Sequence, residues 1–111
     1  MPNPIDENTL TADGTEQSVY TAATNRVTQL FVNVDNMQSG DTIVIREKIK
    51  VLTGDSVALI KSTTLTGANG TLPGSSLIFQ SDPLSGPYGV TYTLEQTAGT
   101  NRTYKWRVDE L

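Results

Sequence analysis

Residues 30–51 read LFVNVDNMQSGDTIVIREKIKV and hold two runs of alternating apolar side chains on either side of one short turn. The apolar residues that share one phase are Leu30, Val32 and Val34 in the first run and Ile43, Ile45, Ile49 and Val51 in the second. A period of two residues is typical of β-strands with one buried face. The stretch therefore predicts an antiparallel hairpin, with residues 36–41 as its turn.

The same period recurs along most of the chain, with turn signals between the runs. A second hairpin is predicted at 90–108, where Tyr92, Tyr104 and Trp106 would supply an aromatic core. The strand predicted over 56–65 is apolar on both faces, which is typical of a central or covered strand. About seven to eight strands predict a single all-β domain, a two-sheet antiparallel sandwich of Ig-like or jelly-roll-like topology.

The beginning of the chain differs in composition from the rest. Its first 15 residues carry two prolines, many polar side chains and the turn pair Asp13-Gly14. We therefore expect residues 1–15 to form an extended N-terminal arm and residues 16–111 to form the sandwich. Ile5 and Leu10 are the apolar side chains with which such an arm would hold a neighbour.

Composition excludes several classes of function. The net charge of −4 is spread over 12 acidic side chains, which favours solubility and disfavours nucleic acid as a partner. No apolar run reaches the roughly 18 residues of a membrane span, and the first residues lack the features of a signal peptide. Cysteine and histidine are absent, which excludes thiolate and imidazole catalysis and the usual zinc sites. No cofactor is predicted.

Two sets of carboxylates could in principle carry chemistry. Glu47 and Glu95 lie in predicted strands and could act as acid and base. Only Glu47 shares the apolar phase of its strand, however, so a structural position at a bulge, at an edge or beside an arginine is favoured. Loop aspartates could bind calcium, but they adjoin glycine or proline, and turn capping is favoured. These aspartates are Asp13, Asp41, Asp55 and Asp82.

The outer side of the first predicted hairpin carries two apolar residues, Phe31 and Val44, which predict cover by the arm or by a neighbouring subunit. It also carries a basic stripe formed by Arg46, Lys48 and Lys50. Lys105 and Arg107 repeat that spacing on another strand, and the two groups would form one patch if their strands were neighbours. The stripe is either a solvated strand face or a contact with an acidic surface of another subunit.

Two long loops, 66–75 and 81–89, are rich in glycine and proline and are expected to make contacts. Their exposed apolar candidates are Leu72, Leu84 and Tyr88. The complete candidate assembly interface comprises Ile5, Leu10, Phe31, Val44, Arg46, Lys48, Lys50, Leu72, Leu84 and Tyr88.

Three segments carry a resemblance to a known group of proteins. They are DGTEQ at 13–17, the spaced residues Leu30, Val32, Met37, Gly40, Asp41, Thr42, Val44 and Arg46, and LEQTAGTNR at 94–102. In the residues of its turns and in its pattern the chain resembles small virion-associated β-sandwich proteins of tailed phages and related viruses, and the likeness spans most of residues 13 to 108. Such proteins are threonine-rich sandwiches with an extended terminal arm, no cysteine and no cofactor.

The resemblance implies a noncatalytic virion structural protein, either a capsid decoration or cement subunit or a small capsid component. Its partners would be other virion subunits, including copies of itself in trimers or other symmetric oligomers, and it would be made in the host cytoplasm. The family carries no active site, so no site residues transfer. The alternative is a binding module, an Ig-like or carbohydrate-binding domain whose loop tips and Tyr88 form the site.

Overall fold

Backbone pairing defines nine β-strands in this computed structural model, which describes residues 3–22 and 26–111. In the fourth strand the alternation is unbroken from Thr42 to Lys48. The strands are β1 Asn3–Thr11, β2 Glu16–Ala22, β3 Arg26–Asn33, β4 Thr42–Ile49, β5 Ala58–Thr66, β6 Ile78–Gln80, β7 Leu84–Gly86, β8 Val90–Ala98 and β9 Thr103–Glu110. Two short 3-10 turns, Ala68–Thr71 and Pro73–Ser75, lie between β5 and β6.

The strands form two packed antiparallel sheets. Sheet A has the order β1-β9-β3, with the short strands β6 and β7 both paired to β3, and sheet B has the order β2-β8-β4-β5. The first strand thus pairs with the last, the second with the last but one, the third with β6 and β7, and the fourth with the fifth. This nested pairing is the strand order of a jelly roll. The all-β sandwich is therefore confirmed, and of the two predicted topologies the chain adopts the jelly roll.

The two predicted hairpins are wrong in their pairing. Strands β3 and β4 lie in different sheets, and so do β8 and β9. In each case the chain crosses from one sheet to the other, so the buried faces of the two strands meet across the core instead of lying side by side. Alternation specifies which face of a strand is buried, and both arrangements bury the same face.

The core lies between the sheets and contains the side chains predicted from phase. Of the seven residues that share the apolar phase of the opening stretch, five are completely buried, namely Leu30, Val32, Val34, Ile43 and Ile45. Tyr92 and Tyr104 are also completely buried, and Trp106 retains 9% of its exposure, so the predicted aromatic core is confirmed. Each fully buried aliphatic side chain contributes about 1.5–3 kcal/mol to stability. The pattern fails only at Val51, which lies beyond the end of β4 and is exposed.

The predicted N-terminal arm is instead mostly a strand of the sandwich. Residues 3–11 form β1, which pairs with β9 from Asn3 opposite Glu110 to Thr11 opposite Thr103. Most β1 side chains are exposed because β1 is the edge of sheet A, and the bulge between Pro4 and Asp6 accommodates the proline. An edge strand with one polar face has the same composition as a free arm, so composition alone did not distinguish the two.

The connections lie at two ends of the sandwich. At one end, which we call the Asp41 end, the connections after β1, β3, β5 and β8 touch one another through backbone hydrogen bonds such as Gly67 N to Asp41 O and Ala12 N to Arg102 O. At the other, the Tyr88 end, Val90 lies opposite both Ala22 and Ile49, and Ile49 lies opposite Ala58. The β4–β5 connection, residues 50–57, and the turn that contains Tyr88 therefore share the Tyr88 end.

Candidate functional site

The basic stripe lies on the outer face of sheet B and is neutralised by acidic side chains of the same face. Arg46 Nη1 lies 2.9 Å from Glu95 Oε1, and Lys48 Nζ lies 2.9 Å from Glu16 Oε2. Hydrogen bonds from Thr93 and from Lys48 hold the pKa of Glu16 below its ordinary value. Two cations of the predicted stripe thus have partners within the chain. The third, Lys50, is half-buried just past the end of β4.

The stripe does not form one basic patch with Lys105 and Arg107, as it would if their strands were neighbours. Strand β9 belongs to sheet A, so Lys105 and Arg107 lie on the opposite outer face of the sandwich from Arg46. The same separation applies to the two outer apolar residues. Phe31 lies on the face of sheet A and Val44 on the face of sheet B, so they do not form one surface.

A shallow groove of about 330 Å³ surrounds Phe31 on the outer face of sheet A. The Arg107 guanidinium carbon lies 4.7 Å from the centre of the Phe31 ring, and Arg107 Nε donates to Asp109 Oδ1 over 2.8 Å. A cation above an aromatic ring stabilises an exposed site by about 0.5–1 kcal/mol. Other side chains that line the groove are Glu7, Asn33, Ile78 and Lys105. The ring and the guanidinium are therefore partly occupied with each other.

Four apolar members of the predicted interface pack on the chain's own core. Leu84 is buried, which is a correction to its predicted place on an exposed contact loop. Ile5, Leu10 and Leu72 are half-buried against the same core. Ile5 and Leu10 thus hold β1 to the sandwich and are not the anchors of a free arm. Among the predicted loop residues, Tyr88 retains the largest exposure, at 45%.

The exposed apolar residues that the prediction missed lie in one short part of the chain. Val51 is 73% exposed and Leu52 64%, while Leu59 and Ile60 are 56% and 53% exposed. They belong to the β4–β5 connection and to β5, which is the edge of sheet B and not the predicted central strand. The sequence feature that could have identified this surface is the run 57–60, which is apolar on both faces of the strand. A strand with two apolar faces leaves one of them exposed unless another part of the protein covers it.

The predicted acid–base pair of carboxylates is not assembled. Glu95 points outward to Arg46, whereas Glu47 is 2% exposed and lies on the inner side of β4, opposite Lys61 and Tyr92. Burial raises the pKa of Glu47, and the nearby Lys61 opposes that shift. Glu47 lies beside the register shift that leaves Ile60 of β5 unpaired, and a position at a bulge is one of the three structural positions that the sequence left open.

The loop aspartates are occupied with turns and ion pairs. Asp13 accepts a hydrogen bond from Thr15 N, and Asp55 accepts one from Leu52 N. Asp41 accepts from Gln38 N, and Asp82 pairs with Lys61 Nζ at 2.8 Å. Among the described residues, no three metal-ligating side chains lie close enough together to hold an ion. Turn capping therefore accounts for Asp13, Asp41 and Asp55.

A comparison of the chain with family models, with curated proteins and with solved structures finds no match in any of the three. The described parts of the chain contain no helix with the length and apolar character that crossing a lipid bilayer requires. The candidate contact surface is therefore chosen from the structure of the chain alone. It consists of the exposed apolar residues within 51–60.

Proposed function

We propose that this protein is a noncatalytic structural protein of a virus particle, either a capsid decoration or cement subunit or a small capsid component. It is made in the host cytoplasm and functions in the virion through contacts with other subunits, including copies of itself. The jelly-roll strand order supports this proposal because viral capsid domains use it widely. Lectin domains use the same fold, so the argument depends on the surface.

The observation that carries the proposal is the apolar surface at the β4–β5 connection and the β5 edge. Large apolar side chains that are more than half exposed are uncommon as a continuous group on a monomer, and such groups mark contact surfaces. Val51, Leu52, Leu59 and Ile60 lie near one another in the β4–β5 connection and at the start of β5. A subunit whose role is to stay attached to neighbours has a use for a surface that is covered only on assembly.

A carbohydrate-binding module is the second candidate, and one observation favours it. Tyr88 is 45% exposed at the Tyr88 end, in the turn between β7 and β8. An exposed ring can stack on the apolar face of a sugar while its hydroxyl bonds to water or to the sugar. This function predicts a stable monomer with a soluble ligand, and a Tyr88→Ala variant that no longer binds it.

One experiment on material from the source of the sequence distinguishes the two functions. Proteomics of purified virus particles is expected to find the chain at a stoichiometric level, beside a native mass of the purified protein that corresponds to an oligomer. A strict monomer that is absent from particles and binds a glycan on an array would reject the structural role and support the module.

A further inference from the structure

Sheet B has two free edges, β2 and β5, and β5 is the longer of the two. Edge strands usually avoid further pairing through shortness, charge, proline or bulges. Strand β1 carries Pro4, a bulge, Asp6 and Glu7, while β6 and β7 are three residues long each. Strand β2 has seven residues, which a bulge interrupts near its middle. Strand β5 is nine residues long, and beyond its one bulge near Ile60 it runs regularly to Thr66. Its outer row of backbone groups can accept another strand.

Apolar side chains flank this edge. Of the ten large apolar side chains that are exposed among the described residues, five lie within residues 51–60. In addition to the four already described, Val57 is 38% exposed. A stable interface of standard size buries roughly 800 Å² per partner, and these five apolar side chains would lie within that area. They would supply the predominantly apolar share that is usual in homodimers.

Charge does not oppose self-pairing of this edge. Lys61 is the only charged residue of β5, and its Nζ lies 2.8 Å from Asp82 Oδ2 of the same chain. The remaining residues of the regular part are Ser62, Thr63, Thr64, Leu65 and Thr66. These side chains carry no charge, whereas unpaired like charges opposite one another would repel.

We propose that β5 and the β4–β5 connection form a two-fold interface with the same surface of a second copy of this chain. The two β5 strands pair antiparallel, so that sheet B, which has four strands, continues into sheet B of the partner copy. Leu59 and Ile60 of both copies pack beside the axis, and Val51 and Leu52 close the interface at the Tyr88 end. This interface is the surface through which the chain would associate with copies of itself. It rests only on the self-association that is part of the proposed function.

The occupant is a strand rather than a lipid surface because of the backbone. Hydrocarbon offers no partner for the N–H and C=O groups along the outer side of β5, and leaving such groups unsatisfied in it is strongly unfavourable. A second β5 satisfies them and buries the same apolar side chains. A self-complementary edge also gives a closed two-fold dimer, which does not propagate into a filament.

The first test measures the dimer dissociation constant of the full chain by analytical ultracentrifugation over a concentration series. Leu59→Glu is expected to raise that constant by at least about tenfold, since it places two like charges at a desolvated axis. Leu77→Glu is the matched control, because Leu77 is 45% exposed but lies outside the proposed interface, in the connection before β6 of sheet A. A wild-type chain that stays monomeric throughout, or equal weakening by both variants, would overturn the proposal. Circular dichroism establishes that each variant is folded.

A second test uses the absence of cysteine from the chain. Single variants Ile60→Cys, Ser62→Cys and Thr64→Cys are oxidised separately, with Thr9→Cys on the exposed face of β1 as the control. A two-fold axis beside Leu59 and Ile60 places Ile60 next to its own copy, within the Cα separation of about 4.4–6.8 Å that a disulfide spans, and moves the two copies of Thr64 far apart. Covalent dimer is therefore expected most readily from Ile60→Cys and not from the control. Cross-linking confined to Thr9→Cys, or equal in all four, would refute the β5 interface.

A third measurement addresses the lipid alternative. Wild-type protein is floated with phosphatidylcholine vesicles, and no binding is expected. Binding that Leu59→Glu abolishes would assign the surface to lipid and reject the dimer. Failure of this inference is distinguishable from failure of the proposed function: a monomer found in particles rejects only the interface, and a β5-dependent dimer absent from particles rejects only the virion role.

Discussion

Arg102 Nε donates a hydrogen bond to Asp41 Oδ2 over 2.8 Å and so joins the β3–β4 connection to the β8–β9 connection. The Asp41 side chain is 1% exposed, and it also accepts hydrogen bonds from Gln38 N and Thr100 N. The bond from Gln38 and then that from Arg102 lower the pKa of Asp41. One buried carboxylate thus holds the two crossovers that replaced the predicted hairpins.

Replacing Asp41 is expected to destabilise the fold strongly. Asp41→Ala leaves two backbone donors and the Arg102 guanidinium without their acceptor, which lowers the free energy of unfolding by about 3 kcal/mol. Urea denaturation measures the change. Asp35→Ala, an exposed aspartate in the same connection, is the control and should change the value by less than about 0.5 kcal/mol. Similar losses in both variants would contradict the role assigned to Asp41.

Gly99 is expected to tolerate no side chain, because of space as well as conformation. Its φ is +87°, and a Cβ at this position would lie 2.7 Å from Asp41 Cα. Gly74 also has a positive φ, +67°, but has open space around it. Gly74→Ala should therefore cost about 1 kcal/mol for conformation, and Gly99→Ala about 2 kcal/mol more for the clash. Thermal denaturation compares the two, and equal midpoints would mean that the crossovers are not closely packed.

Glu47 is expected to weaken the fold at neutral pH. Its folded-state pKa is raised above the value in the unfolded chain, so its contribution is most favourable below that unfolded value and is lost as pH rises through the folded pKa. The charged groups that face Glu47 are Lys61 and Asp82, with Tyr92 beside it. Glu47→Gln should be more stable relative to wild type at pH 7 than at pH 4. Urea titrations at both values measure this, and a constant difference would refute it.

Tyr104 is expected to make the fold sensitive to alkali. Burial raises its pKa to about 12, and its hydroxyl donates to Gln96 Oε1 over 2.9 Å. The unfolded chain ionises this phenol near pH 10, so stability is lost as pH rises from about 10 towards 12. Tyr104→Phe should cost about 1 kcal/mol at neutral pH and should flatten the alkaline decline. The exposed Tyr88→Phe is the control, and its alkaline unfolding curve should match that of wild type.

Deletion of residues 2–11 distinguishes a strand from an arm. Loss of β1 uncovers the edge of β9 and removes the half-buried Ile5 and Leu10 from the core. We expect the free energy of unfolding to fall by at least about 2 kcal/mol. The substitution Asp6→Ser, at an exposed position of β1, should leave it nearly unchanged. A truncated chain as stable as the full one would restore the arm as the description of this segment.

Several features of the chain were predictable from residue pattern. The phases of Leu30, Val32, Ile43 and Ile45 correctly identified buried side chains, and the phase of Glu47 correctly indicated an inward side chain. Phase is a local property, since adjacent side chains of a strand point to opposite faces whatever the strand pairs with. A local pattern cannot show what packs on a residue from elsewhere in the chain, and the prediction for Leu84 is wrong for that reason. Leu84 lies in a stretch with the composition of a loop, but pairing with β3 and packing on the core bury it.

The sequence by itself determined that this protein is an all-β sandwich and which face of most strands is buried, because alternation acts over a few residues. Only the tertiary structure decided that β3 and β4 lie in opposite sheets, that Phe31 and Val44 point away from each other, and that β5 is an edge. Strand partners are chosen by contacts between residues far apart in the chain, such as Arg102 with Asp41. No local pattern records those contacts, and the exposed surface of 51–60 follows from them.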